Sequence, residues 1–148
     1  MKVHPLLISA LLISTSPIHA NDFIYLKCDY NMTNSLIDLK TNRVTEESKT
    51  GTLGYKVDTA NSRMQASTSP EWDEVSIVDG VVIGQIKEDS PGFNMTMKYS
   101  VDITPPGNIS IESLAFTGEQ QSISVKVKGI CQKSDRAFFN EASTFGDD

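Results

Sequence analysis

Histidine is nearly absent from this chain. Of 148 residues, only His4 and His19 are histidines, and both lie in an N-terminal stretch that we expect to be removed. A mature chain without imidazole lacks serine–histidine and cysteine–histidine catalysis, and every metal site that needs a histidine ligand. We therefore predict a non-catalytic protein with no metal site and no cofactor.

Long apolar runs are also scarce, and the clearest one lies at the N-terminus. Lys2 precedes an apolar run over residues 6–13, and Ala20 supplies a small residue at a cleavage point. The run is too short for a permanent membrane helix. We predict that residues 1–20 are a cleaved signal peptide and that the protein is periplasmic or secreted, with no membrane anchor. An uncleaved anchor is the alternative.

Basic residues are fewer than acidic ones. Removing Lys2 leaves 12 basic residues against 19 acidic ones, a formal net charge of −7. Such a chain repels phosphate backbones, so we expect no binding to nucleic acid. Lys126 and Lys128 alternate with valines, which is typical of the solvated face of a strand.

Only two cysteines are present, Cys28 and Cys131. An exported protein meets an oxidising compartment, and an even number of cysteines favours pairing. Each cysteine falls in the apolar phase of a predicted strand, so both point toward a core. We predict a disulfide that ties the first strand to the last, with two buried free thiols as the alternative.

The rest of the chain predicts strands and turns. Residues 93–103 alternate between apolar and polar side chains over eleven positions, a period of two that indicates a half-buried strand. Asp79-Gly80, between two apolar runs, predicts a tight hairpin turn. Residues 35–40 and 52–58 also predict strands, and residues 43–47 and 62–67 give weaker strand signals. We expect an all-β fold, an antiparallel barrel or sandwich of about eight strands closed by one disulfide.

The domain organisation follows from these patterns. Residues 21–133 form the predicted β-domain. Residues 134–148 form a tail that is either partly disordered or a short helix capped by Ser134.

The densest acidic patch surrounds the single tryptophan. Glu71, Asp73 and Glu74 flank Trp72, an arrangement that suits recognition by an aromatic side chain with polar neighbours. Paired carboxylates acting on a sugar stacked on Trp72 are a second hypothesis. The third is an acidic loop that leads into a strand, and the spacing matches no calcium-binding loop.

The two ends of the domain carry a resemblance. The first strand, Phe23-Ile24-Tyr25-Leu26-Lys27-Cys28-Asp29, and a last strand ending Gly129-Ile130-Cys131 resemble small exported bacterial β-proteins of uncharacterised function. They are also loosely similar to the periplasmic C-type lysozyme inhibitors, which are small antiparallel barrels. The inhibitory Ser-Gly-Ser-Gly-type loop of that family is absent, so the resemblance implies a barrel and carries over no site residue.

Three classes of function stay open. A monomeric binding module for a small ligand or a protein partner is the first expectation, because small exported β-domains often serve this way. A structural or interaction protein of the cell envelope is the second, and a carboxylate-dependent hydrolase is the third.

Overall fold

The computed structural model describes residues 23–118 and 120–145. The predicted signal peptide lies outside these described residues. The described chain forms nine strands and one helix, which are β1 (Ile24–Asp38), β2 (Arg43–Asp58), β3 (Arg63–Ala66), β4 (Asp73–Glu74), β5 (Ser76–Val78), β6 (Val81–Ser90), β7 (Phe93–Ile103), β8 (Pro106–Thr117), β9 (Gln121–Lys133) and α1 (Arg136–Ala142).

All nine strands belong to one antiparallel sheet, in the order β4-β3-β2-β1-β9-β8-β7-β6-β5. Every neighbour is consecutive in sequence except β1 and β9, which pair from Leu26↔Lys133 to Asp38↔Gln121. The sheet is therefore a meander rolled into a nearly closed barrel rather than a two-sheet sandwich.

The two ends of the sheet are joined through Val75, between β4 and β5. The edge strands β4 and β5 are separated only by Val75, whose N–H donates to the Ser62 carbonyl over 2.9 Å. β4 and β5 run in the same direction and amount to one interrupted strand. Because the interrupted strand counts as one in direction, the first and last strands meet antiparallel, as an even number of strands requires.

Local sequence signals account for the clearest elements. β7 spans the eleven alternating residues, as predicted. Asp79 and Gly80 both have positive φ angles, of 50° and 76°, and connect β5 to β6 as a two-residue hairpin turn. The weak signals before residue 59 belong to two long strands, β1 and β2, rather than to several short ones.

The predicted disulfide is present and joins opposed residues. Cys28 lies directly opposite Cys131 in the β1–β9 ladder, and the two are bonded. Around them is the main core, which also contains Leu26, Val57, Val82, Val101 and Ile109, each at most 1 % exposed. We call this part of the barrel the disulfide end.

The opposite end carries three hairpin turns, and we call it the hairpin end. The N–H of Leu39, after β1, donates to the Gln120 carbonyl over 2.8 Å. The N–H of Gly118, after β8, donates to the Gly92 carbonyl over 2.7 Å. These two bonds hold the tips of the β1–β2, β6–β7 and β8–β9 hairpins beside one another.

The C-terminal segment packs on the outside of the disulfide end. α1 begins after Asp135, whose carboxylate accepts the Phe138 N–H over 2.8 Å, so the cap is Asp135 and not Ser134 as predicted. Phe139 is 4 % exposed and lies against Gly54, where an added Cβ would approach its ring to 3.3 Å. A side chain at position 54 would therefore push the helix away.

Candidate functional site

The barrel wall is complete at the disulfide end and open at the hairpin end. β3 pairs with β2 only between Tyr55 and Asp58, and β5 pairs with β6 only between Val81 and Ile83. Beyond those residues β2 and β6 have no strand on their second side within the described chain. The hairpin half is therefore a curved six-stranded sheet with a lateral gap.

The inner face of this half is apolar and only partly covered. Strand alternation and the ladder registers place these side chains on the same face as Cys28 and Cys131. The side chains that contribute are Met32, Leu36, Ile86, Met95, Met97, Ile123 and Val125. Leu36 is 38 % exposed and Ile86 is 37 % exposed, whereas the equivalent positions at the disulfide end are buried.

A depression of about 370 Å³ lies on this face across β2, β1 and β9. We call it the inner cleft, and its inward-facing lining consists of Asn34, Leu36, Thr45, Glu47, Ile123 and Val125. Leu36 sits in its middle, opposite Thr45 on β2 and Ile123 on β9. The inner cleft thus combines an apolar floor with a few polar groups, as small-molecule sites do.

Three tyrosines fill the interior on the disulfide side of the inner cleft. Tyr30 lies over Gly51, where an added Cβ would come within 2.6 Å of its hydroxyl, and Tyr99 lies in the same way over Gly84. Burial raises the pKa of Tyr55, and its neighbours Tyr99 and Tyr30 raise it further. The three tyrosine side chains separate the core from the open half.

The residues predicted around Trp72 do not form one site. Asp73 is opposite Met64, on the inner face, whereas Glu74 is opposite Arg63, on the outer face. Glu71 is exposed in the loop before β4, and its N–H donates to the Ser69 hydroxyl over 3.2 Å. Desolvation, with the nearby Glu71 carboxylate, raises the pKa of Asp73. Only Glu71 and Asp73 act on each other.

Trp72 is engaged in packing on the outer face. The Arg63 guanidinium lies 4.4 Å from the Trp72 ring centroid, and Lys56 Nζ lies 5.2 Å from it. The Phe23 ring is 5.8 Å away. Arg63 in turn donates to the buried Asp58 carboxylate over 2.9 Å. Trp72 therefore supports the β2–β3 corner, and cation–π contacts of this kind stabilise it.

A larger depression, of about 670 Å³, lies on the outer face of the same strands. Its floor is the outward row Asn31, Thr33 and Ser35 of β1, and Lys126 and Lys128 stand on one side. Both lysines are exposed, as the sequence predicted. Ile37 and Val44 complete the lining, and Val44 is 58 % exposed, so this outer depression is mixed in polarity.

Sequence reasoning missed the inner cleft, although it placed Ile123 and Val125 on the face that carries Cys131. The alternation in β7 identified Met95 and Met97 as inward-facing, but alternation does not tell whether a second wall covers them. The sequence did contain a signal for the open half. The hairpin strands are long, but the turn-rich stretch over residues 59–80 is too short to supply strands of the same length.

Neither a metal site nor a membrane helix is evident in the described residues. No group of three or more histidine, cysteine, aspartate or glutamate side chains is arranged there to hold an ion. No helix there is long and apolar enough to cross a bilayer.

Fold and site together define a nearly closed antiparallel β-barrel with one open, apolar-lined half. The chain matches no protein-family model, no curated protein and no solved structure. The similarity to exported β-proteins and to lysozyme inhibitors therefore stays a prediction.

Proposed function

We propose that this protein is an exported, non-catalytic binding module whose inner cleft holds a small apolar ligand. The observation that carries the proposal is the exposure of Leu36, in the middle of the inner cleft, on the face that is buried elsewhere in the barrel. Apolar surface left in water costs about 25 cal/mol per Å², and a ligand that covers it regains that free energy.

The lining restricts the ligand. A volume of about 370 Å³ suits a small molecule rather than a folded domain. Met95 and Met97 lie on the same inner face, two strands away from β9, and have flexible side chains that adapt to irregular shapes. The Glu47 carboxylate on the rim disfavours anions, so the preferred ligand is neutral or cationic with one polar group.

Export is supported by the disulfide, because such bonds persist in oxidising compartments. Cleavage of residues 1–20 accompanies export in this proposal. Intact-mass measurement of the exported protein tests it. A chain that begins within two residues of Asn21 supports the proposal, and a chain that retains Met1 contradicts it.

The hydrolase alternative is less well supported. Glu74 and Asp73 lie on opposite faces, so they do not form a carboxylate pair. A screen of glycoside and ester substrates with the purified protein tests this point. Turnover that disappears in both Glu71→Gln and Asp73→Asn, the two carboxylates that lie near each other, would establish the hydrolase and reject a purely binding role.

A neutral fluorescent probe tests the ligand site. N-phenyl-1-naphthylamine should bind the purified protein with a Kd of about 1–100 μM. Leu36→Glu places a charge in the middle of the inner cleft and should weaken binding at least about tenfold. Leu114→Glu is the matched control, since Leu114 is 45 % exposed on the outer face of β8.

The outcomes separate the inner cleft from the Trp72 region. Equal binding by both glutamate variants contradicts the proposal. Loss of binding in Trp72→Phe, with Leu36→Glu unaffected, assigns the site to the outer face around Trp72 instead. Failure of the probe to bind at about 1 mM rejects an apolar ligand site.

A further inference from the structure

The unpaired side of β2 is a long sheet edge. β2 pairs with β1 along its whole length, from Arg43 to Asp58. On its other side, Tyr55–Asp58 pair with β3, and the Gly54 backbone is bonded to Ser67. Within the described chain, residues 43–53 have no backbone partner on that side.

The protection of this edge rests on charged side chains, which admit only a strand of complementary charge. No proline interrupts β2, and its register with β1 runs without a bulge. Residues 43–50 are all exposed. An open edge of eleven residues is a template for another strand, because each unpaired N–H and C=O finds a partner in the added ladder.

We propose that the β2 edge pairs antiparallel with the β2 edge of a second copy of this chain, about a two-fold axis at Ser48. Along an edge strand, residues whose N–H and C=O point away from the sheet alternate with residues whose N–H and C=O point toward the neighbouring strand, here β1. Paired residues in an antiparallel ladder must be of the same kind. The axis therefore falls on a residue rather than between two residues, and the midpoint of residues 43–53 is Ser48.

Charge favours the same register. With the axis at Ser48, Glu47 faces Lys49 of the second copy, and symmetry makes this contact twice. Moving the axis by one residue sets either Glu47 against Glu47 or Lys49 against Lys49. Opposite charges directly across an antiparallel pair stabilise it, and like charges destabilise it.

The other open edge lacks this complementarity. β6 is unpaired on its second side over residues 84–90. A two-fold axis at its midpoint sets Lys87 against Lys87. An axis at Glu88 sets Lys87 against Asp89 but also Glu88 against Glu88, so β2 is the better interface. The proposed dimer differs from the monomer that the sequence predicted.

The two-fold axis also determines how the inner faces of the two copies are arranged. Because paired residues share a face, the inner faces of both copies lie on the same side of a continuous sheet. The two inner clefts then adjoin across the axis. The dimer does not depend on ligand binding, so the two proposals fail independently.

Sedimentation velocity on the exported, purified protein tests the dimer, from about 1 μM to about 500 μM. Glu47→Lys should weaken dimerisation about tenfold or more, since the new lysines face Lys49 of the other copy. Lys49→Glu should do the same. The double variant Glu47→Lys/Lys49→Glu restores opposite charges and should restore the dimer.

Glu46→Lys is the matched control, because it makes the same charge change where the proposed register sets Thr50 opposite. It should dimerise like the unmodified chain within about threefold. A protein that stays monomeric at the highest concentration overturns the proposal. A dimer that Glu47→Lys leaves intact also overturns it, as does failure of the double variant to restore the dimer. A dimer that is sensitive to Lys87→Glu alone would assign the interface to β6.

Discussion

The Cys28–Cys131 disulfide should contribute a large part of the stability, because it closes a long loop. The two cysteines are 103 residues apart in sequence. In the chain-entropy model, closing a loop of about 100 residues is worth about 4.7 kcal/mol at 25 °C. For a domain of this size, with an unfolding entropy of about 2.1 cal/mol/K per residue, that corresponds to roughly 15–20 °C in Tm.

The assay compares oxidised and reduced forms of the same chain. Both cysteines are nearly inaccessible, at 0 % and 2 % exposure, so the protein must be unfolded in denaturant with reductant and then refolded. The thirteen-residue β1–β9 ladder should re-form without the bond, with an unchanged far-ultraviolet spectrum. Denaturant unfolding of both forms then gives the difference. A loss below about 1 kcal/mol would refute the loop-closure reasoning.

Three further predictions concern single residues. Gly129→Ala should cost about 2 kcal/mol of unfolding free energy, since its Cβ would lie 2.8 Å from the Tyr30 Cα; urea unfolding that matches the parent contradicts this. Hydrogen bonds from Asn61 and Arg63 lower the pKa of Asp58, so stability should fall as the pH drops below about 4, and Asp58→Asn should flatten that decline. Burial raises the pKa of Tyr55, so stability should fall above about pH 10, less so in Tyr55→Phe; pH-independent urea midpoints would count against both assignments.

Sequence patterns predicted the parts of the fold that depend on neighbouring residues. The alternation of β7, the Asp79-Gly80 turn and the inward phase of both cysteines are local properties, and the structure confirms each. The hairpin half is open for a different reason. The stretch that contains β3, β4 and β5 has too few residues to pair with β2 and β6 along their whole length. Alternation along one strand contains no information about that.

The site predicted around Trp72 illustrates the same limit. Glu71, Trp72, Asp73 and Glu74 are adjacent in sequence, which suggested one patch. Successive side chains of a strand point to opposite faces, so β4 separates Asp73 from Glu74. The opposite directions of Asp73 and Glu74 could be predicted only if both residues were assigned to a strand.

The pairing of β1 with β9 has a consequence for the order of folding. Hairpins β1–β2, β6–β7 and β8–β9 need only local contacts and can form as soon as their residues are available. The β1–β9 ladder must wait for the whole chain, and contacts this distant in sequence slow folding. Cys28 therefore has no native partner until β9 is available, and an oxidant that acts earlier meets a single cysteine.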